Sequence, residues 1–151
     1  MNRVLMIFLR LFLVWGLTNF ELMAGFDRDS SAQIVTDSTT GLSWQDDMDA
    51  KTKQMLWGSS ISYCESLTLG GYSDWRLPNI NELKTIIDTS GVSPAISYHF
   101  ENVSSDDYYW SSTTSSSYKY SAFVVYSANG FVFISPKNYS SFLVRCVRGG
   151  Q

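Results

Sequence analysis

Residues 70–83 read GGYSDWRLPNINEL, and this stretch contains a turn, an extended arm and the start of a helix. The two glycines that open it predict the end of the preceding element. Pro78 disfavours helical backbone angles at Leu77, so we predict that residues 74–77 are extended. The stretch therefore separates a preceding element from a helix that begins near its end.

A helix is predicted to begin at Ile80 and to end near Asp88. Asn79 is a favourable N-cap, because its side-chain oxygen accepts a hydrogen bond from a free backbone amide, and Glu82 completes a capping box. Apolar residues then recur at helical spacing, which predicts one face packed on a core. These residues are Ile80, Leu83, Ile86 and Ile87.

Trp75 and Arg76 lie on the extended arm that precedes this helix. One interpretation is a ligand site, in which the indole contacts a ligand and the guanidinium binds its carboxylate. The alternative is structural, with Arg76 in a bidentate pair with an internal carboxylate or stacked on a ring. Because buried arginines are rare unless paired, the structural role is favoured, and the same holds for Asp74.

Length and composition fit one globular domain that follows an export signal. The chain has 151 residues, a formal net charge of -3 and 44% hydrophobic residues, which indicates a single domain at residues 25–151. Residues 1–24 combine a basic start, an apolar run and a small residue at a cleavage point, so they are predicted to be a signal peptide. A retained N-terminal anchor is the alternative, whereas the uninterrupted apolar run is short of the about 20 residues that span a membrane. We therefore expect a secreted, periplasmic or cell-surface protein.

Charge is distributed unevenly along the chain. Residues 25–107 contain 13 acidic and five basic side chains, a balance of -8, whereas residues 108–151 contain four basic side chains and no acidic one. The basic part can orient an anionic partner. Attraction between the two parts within one fold explains the pattern equally well. The negative overall balance and the expected export argue against a nucleic acid partner.

The chain contains two cysteines, Cys64 and Cys146. Export places them where disulfides persist, so we expect them to be bonded. Such a bond closes a loop of about 80 residues, for which chain entropy gives roughly 4.5 kcal/mol of stabilisation. The alternative is a pair of buried thiols. Two cysteines and one histidine are few ligands for a metal site, and neither a metal nor a cofactor is expected.

The first part of the domain is predicted to form a hairpin. Residues 25–32 are polar and are expected to be loose, whereas residues 33–37 and 42–45 are short strands joined by a turn. Three acidic residues follow, but they lack the glycine and the distal glutamate of an EF-hand calcium loop. A solvated acidic loop is therefore favoured, and any calcium would be structural. The acidic residues are Asp46, Asp47 and Asp49.

Helical spacing of apolar residues predicts a further helix from Trp57 to Leu67, with Cys64 on its buried face. From residue 108 onward the chain is β-like, with a hairpin turn at residues 127–130. The predicted strands are 108–112, 122–126, 131–135 and 142–148. The predicted fold class is thus α+β, with two helices packed on short, mostly antiparallel strands.

Two polar loops lie between these strands, at residues 113–120 and 136–141. Their serine, tyrosine, asparagine and lysine residues suit recognition, because tyrosine offers a large contact at a small cost in entropy. Solvated loops have the same composition, so both interpretations stay open. The candidate ligand-binding residues are Tyr118, Lys119, Tyr120, Asn129, Lys137, Asn138, Tyr139 and Arg148.

Five motifs occur in one order and cover essentially all of the domain. They are TTGLSWQ at 39–45, YC at 63–64, GYSDWRLP at 71–78, YWSST at 109–113 and VRCVRG at 144–149. In these motifs the chain resembles the Lcl C-terminal domain family. The resemblance implies a C-type-lectin-like fold, related to formylglycine-generating enzymes, in which the two cysteines link a helix to the last strand. It also implies an exported bacterial domain, since family members include proteins implicated in binding sulfated glycans and host surfaces.

Three functions follow from these features. The leading hypothesis is an adhesin-like binding module, secreted or surface-exposed, whose C-terminal loops recognise a glycan, sulfated or otherwise anionic, or a host or bacterial surface protein. The second is a structural or self-assembling surface subunit, a homo-oligomer in which the aromatic loops contact other copies. An enzyme is disfavoured, because His99 is the one ordinary base and both cysteines are expected in a disulfide.

Overall fold

The computed structural model describes residues 25–90 and 93–150. The predicted signal peptide, residues 1–24, lies outside the described residues. Within those ranges the chain forms two sheets and three helices, and none of these helices has the length and hydropathy of a membrane span. The strands are β1 (Phe26–Asp29), β2 (Ile34–Asp37), β3 (Leu42–Gln45), β4 (Gln54–Met55), β5 (Tyr108–Thr114), β6 (Ser121–Tyr126), β7 (Val132–Pro136), β8 (Phe142–Leu143) and β9 (Val147–Gly149). The helices are α1 (Met48–Thr52), α2 (Trp57–Ser66) and α3 (Ile80–Thr85).

The first sheet has the strand order β1-β2-β3-β9 and is antiparallel throughout. The predicted hairpin is confirmed as β2 and β3. The prediction that residues 25–32 are loose is wrong, because β1 pairs along its whole length with β2. Three of the four residues of β1 are charged, which resembles the composition of a loop. Phe26 nevertheless anchors the strand, with its ring centre 5.7 Å from that of Phe100.

The second sheet has the order β4-β8-β5-β6-β7. Strands β5, β6 and β7 form an antiparallel meander, in which the predicted hairpin turn at residues 127–130 joins β6 to β7, and β8 lies parallel to β5. The prediction of one strand at residues 142–148 is wrong, because the chain leaves this sheet after Leu143 and joins the first sheet at Val147. We call residues 144–146 the crossing segment. Its Arg145 side chain is fully buried, so the segment fastens one sheet to the other.

Helix α3 begins as predicted. The Asn79 side chain accepts a hydrogen bond from the Glu82 amide, and the Glu82 carboxylate accepts one from the Asn79 amide, which is the predicted capping box. The helix ends at Thr85, earlier than predicted. At this end the Ile87 amide donates to the Lys84 carbonyl, three residues back, and the Ile86 carbonyl accepts a hydrogen bond from the Ser97 amide, outside the helical pattern.

Cys64 and Cys146 form a disulfide, which confirms the expected bond. It joins α2 to the crossing segment across 82 positions of sequence. The two cysteines lie in one apolar cluster with Trp75, Leu77 and Trp110. The disulfide therefore holds α2 against the place where the two sheets meet.

Reduction of this disulfide, or the double substitution Cys64→Ser/Cys146→Ser, should lower the free energy of unfolding by roughly 4 kcal/mol, because the unfolded chain regains the freedom of a long loop. Denaturant titrations of oxidised and reduced protein, followed by tryptophan fluorescence, measure the difference. Identical unfolding curves for the two forms would contradict this role.

Asp46 is fully buried. Its carboxylate accepts hydrogen bonds from Arg28 Nε at 2.6 Å and from Arg145 at 3.1 Å. The backbone amides of Glu101 and Asn102 donate to the same carboxylate. A buried charge is tolerated when it is paired and hydrogen-bonded in this way. The prediction of a solvated acidic loop is therefore wrong at Asp46.

The other two residues of that stretch are engaged as well. Asp47 accepts a hydrogen bond from the Ala50 amide and caps α1. Asp49 accepts from Lys53 Nζ at 2.7 Å and from the Tyr63 hydroxyl at 2.9 Å, and the bond from Lys53 lowers the pKa of Asp49. The stretch thus forms a third helix where the sequence predicted a loop. Among the residues described, no three or more acidic, cysteine or histidine side chains cluster as metal ligands would.

Asp46→Ala should lower the free energy of unfolding by about 3–5 kcal/mol, because it leaves the buried Arg145 without its carboxylate. Asp27→Ala is the matched control, since it removes the same group from an exposed position on β1. Thermal and denaturant unfolding of the two variants provide the measurement. Equal losses in both would show that the buried pair contributes nothing specific.

Candidate ligand-binding surface

The loop between β5 and β6 is closed by its own hydrogen bonds. Ser115 is buried, and its hydroxyl accepts from the Tyr118 amide at 3.2 Å. The Ser121 amide donates to the Tyr118 carbonyl at 2.8 Å, and the Ser115 amide donates to the Ser121 carbonyl at 2.9 Å. Because these bonds use the backbone inside the loop, the Tyr118 and Tyr120 side chains are left 65% and 73% exposed.

Lys137 joins this loop to the next one, which connects β7 and β8. Its amide donates to the Tyr120 carbonyl at 2.9 Å. Its ammonium donates to the Thr114 hydroxyl at 2.7 Å and lies 3.9 Å from the centre of the Trp57 ring. A cation above an aromatic face is attracted to the ring. Lys137 therefore fixes the position of both loops on α2 and β5.

The second loop adds a further exposed ring. Tyr139, two residues after Lys137, is 90% exposed. On the first loop, Lys119 Nζ lies 4.9 Å from the centre of the Tyr120 ring. Six of the candidate residues are thus brought together at this end of the second sheet, and we call them the tyrosine surface. They are Tyr118, Lys119, Tyr120, Lys137, Asn138 and Tyr139.

The other two candidates lie apart from the tyrosine surface. Asn129 is in the turn at the opposite end of the β6–β7 hairpin, where its side chain accepts a hydrogen bond from the Phe131 amide. Five residue pairs lie between that turn and Lys137, a separation of roughly 17 Å. Arg148 is on β9, in the first sheet.

Arg148 and Arg76 are both paired with carboxylates. Arg148 Nε donates to Asp74 at 2.6 Å, and its guanidinium lies 3.6 Å from the centre of the Tyr72 ring. Arg76 donates to both carboxylate oxygens of Glu82, at 2.8 and 2.6 Å. The predicted bidentate pair of Arg76 is therefore confirmed. A cavity of about 300 Å³ is lined by Asp74, Arg76, Gly149 and Gly150, and both charged side chains of this lining are already paired.

The Lcl C-terminal domain model matches residues 33–148, which is well over half of the chain. The chain belongs to the Lcl C-terminal domain family. This membership confirms the resemblance carried by the five sequence motifs. The tyrosine surface lies within the matched range of this Lcl C-terminal domain. No curated protein matches the sequence.

Sequence reasoning did not place Trp57 or Thr114 in the site. The spacing of Trp57 within α2 indicates a buried face, but no local signal reveals that Lys137, 80 positions later, lies above its ring. His99 is the one ordinary base that the sequence offers. Its Nδ1 lies 3.0 Å from the Ser97 hydroxyl, and no carboxylate in the described ranges hydrogen-bonds to it. That this Lcl C-terminal domain is not an enzyme stays a prediction.

The pair of Arg76 with Glu82 changes the titration of the carboxylate. Burial raises the pKa of Glu82, but hydrogen bonds from Arg76 and from the Asn79 amide outweigh burial, so the net pKa is lowered. The charged form is thus favoured in the folded state. Its contribution to stability is present above the unfolded pKa of about 4.3 and is lost as the pH falls through the lower folded value.

Glu82→Gln should therefore destabilise the domain at neutral pH, and the difference from the wild type should vanish as the pH falls through the lowered pKa of Glu82 in the folded state. Glutamine keeps one oxygen for the capping box, but it removes the charge and the second oxygen to which Arg76 donates. Denaturant titrations of both proteins across a series of pH values test this expectation. A difference that stays constant with pH would rule out an electrostatic contribution.

Proposed function

We propose that this Lcl C-terminal domain is an exported bacterial binding module that recognises a glycan through the tyrosine surface. The observation that carries the proposal is the exposure of Tyr118, Tyr120 and Tyr139, at 65%, 73% and 90%. Three tyrosine rings held on neighbouring loops leave much apolar area in contact with water. A ligand with apolar faces, such as a sugar ring, removes that area from water when it packs on the rings.

The support beneath the rings favours binding further. Hydrogen bonds within the first loop, and from Lys137 of the second loop to Tyr120 and Thr114, hold the backbone before a ligand arrives. A surface ordered in advance loses less conformational entropy on binding than a mobile one. Tyrosine adds to this advantage, because its side chain has few rotatable bonds for its area.

Charge supports an anionic glycan as the preferred class. Residues 108–150 contain no acidic side chain, and Lys119 and Lys137 lie at the tyrosine surface. Lys137 is held by Thr114 and Trp57, and Arg148 is paired with Asp74. Lys119 is thus the cation best placed for sulfate or carboxylate groups, and ring stacking supplies most of the contact.

We also infer a C-type-lectin-like fold and an extracytoplasmic location. Two small sheets and a disulfide from α2 to the crossing segment support the fold. The disulfide fits an oxidising compartment, and the basic and apolar N-terminal sequence fits export. A self-assembling surface subunit is the second candidate function, and the exposed apolar residues of β7 favour it.

The full chain is expressed in a bacterial host and purified after any processing by the cell. This protein should bind a subset of glycans on an array. The triple variant Tyr118→Ala/Tyr120→Ala/Tyr139→Ala should bind the same glycans at least about tenfold more weakly. For anionic glycans, binding should also weaken as the ionic strength rises, because exposed charges are screened.

Tyr98→Ala is the matched control, because Tyr98 is 82% exposed but is not part of the tyrosine surface. It should bind like the wild type. The proposal fails if no glycan is bound, or if the triple variant keeps full affinity. Binding to a purified surface protein in place of any glycan would assign the tyrosine surface to protein recognition.

A further inference from the structure

Strand β7 forms an open edge of the second sheet. It pairs with β6 on one side, and its other side has no neighbouring strand among the residues described. An unpaired edge presents backbone donors and acceptors that pair readily with another strand. Proteins normally protect such an edge, so the chemistry of β7 decides whether it remains open.

The ladder with β6 determines which backbone groups are free. The amide of Lys137 donates to the Tyr120 carbonyl, so residue 137 faces β6. Along an antiparallel strand, residues whose backbone groups bond to the neighbouring strand alternate with residues whose backbone groups point away from it. Ser135 and Phe133 therefore face β6 as well. The amides and carbonyls of Val132 and Ile134 point away from β6, toward the open side.

The side chains along this edge are apolar and exposed. Phe131, Val132, Phe133 and Ile134 are 63%, 38%, 43% and 44% exposed. Lysine, proline or a bulge commonly blocks pairing at an edge. On β7 such a residue occurs at the end, where Pro136 occupies an outward position and has no N–H to offer. The middle of the edge is left able to pair.

We propose that β7 pairs antiparallel with β7 of a second copy of this chain, across a two-fold axis at Phe133. Val132 and Ile134 flank Phe133 symmetrically, so Val132 of each copy lies opposite Ile134 of the other. Each such pair exchanges two backbone hydrogen bonds, which gives four in all. A two-fold interface requires a surface that complements itself in this way.

The chemistry of the edge selects a second copy as its occupant. Residues 131–136 contain no charged side chain, so two copies meet without like-charge repulsion at the axis. The two Phe133 rings come together at a non-hydrogen-bonded pair, the position at which cross-strand side chains lie closest. The exposed apolar side chains supply on the order of 400 Å² per copy, about half of the ~800 Å² of a standard interface. The dimer is therefore weak and forms as concentration rises.

The full chain, recovered after processing in a bacterial host, should show a sedimentation coefficient that rises with concentration toward that of a dimer. Ile134→Lys places like charges on either side of the axis, and it should weaken the association at least about tenfold. Met48→Lys is the matched control, since Met48 is an apolar residue that is 59% exposed on α1, and it should associate like the wild type.

The register is tested separately with single cysteines, since the two native cysteines are already bonded. Phe133→Cys should form a disulfide-linked dimer under mild oxidation, because opposed residues at the axis lie within reach of a disulfide. Phe131→Cys, at a more exposed position, should cross-link more slowly.

A wild-type protein that stays monomeric at every concentration would overturn the pairing, as would Ile134→Lys with wild-type association. Faster cross-linking at position 131 than at position 133 would overturn the register. None of these outcomes bears on glycan binding, because the tyrosine surface lies on residues 118–120 and 137–139, outside β7. Conversely, loss of glycan binding in the tyrosine variants would leave the association of β7 unchanged.

Discussion

A fully buried arginine determines how the two sheets of this domain meet. Arg145 donates to the Gln45 carbonyl at 2.6 Å, to the Asp46 carboxylate at 3.1 Å and to the Asn102 carbonyl. Its guanidinium also lies 4.8 Å from the centre of the Phe100 ring. Removing such a charge from water costs several kcal/mol, which these partners must offset. Arg145 lies between β8 of the second sheet and β9 of the first sheet. Its partners therefore also fix the position of the crossing segment.

Local signals in the sequence predict local structure well. Asn79 and Glu82 are three positions apart, and their capping box follows from residue type and spacing alone. The buried pair of Asp46 with Arg145 spans 99 positions, so no window of sequence contains both partners. The acidic stretch therefore resembles a solvated loop until the fold supplies a cation. Strand β1 escaped prediction for a related reason, because its one apolar anchor, Phe26, finds its partner in a distant segment.

In the candidate site, too, the sequence predicts local properties but not long-range contacts. Composition identifies Tyr139 as a side chain suited to recognition, and the structure leaves it in solvent. Composition cannot tell a free cation from one that the fold already uses. Lys137 lies on the Trp57 ring, and Arg148 is paired with Asp74. Basic residues that look equivalent in sequence thus differ in what they can offer a ligand, because tertiary partners decide how much of each charge remains.

The disulfide also determines how the domain carries mechanical load. Strand β1 begins the described chain and β9 ends it, and both belong to the first sheet. A pull on the two ends is transmitted from residue 25 to Cys64, through the sulfur bridge, and on from Cys146 to residue 150. Residues 65–145 are bypassed by this covalent path, so the loops that carry the tyrosine rings bear no tension along their backbone. Stretching would peel the first sheet apart while leaving the β5–β7 meander folded.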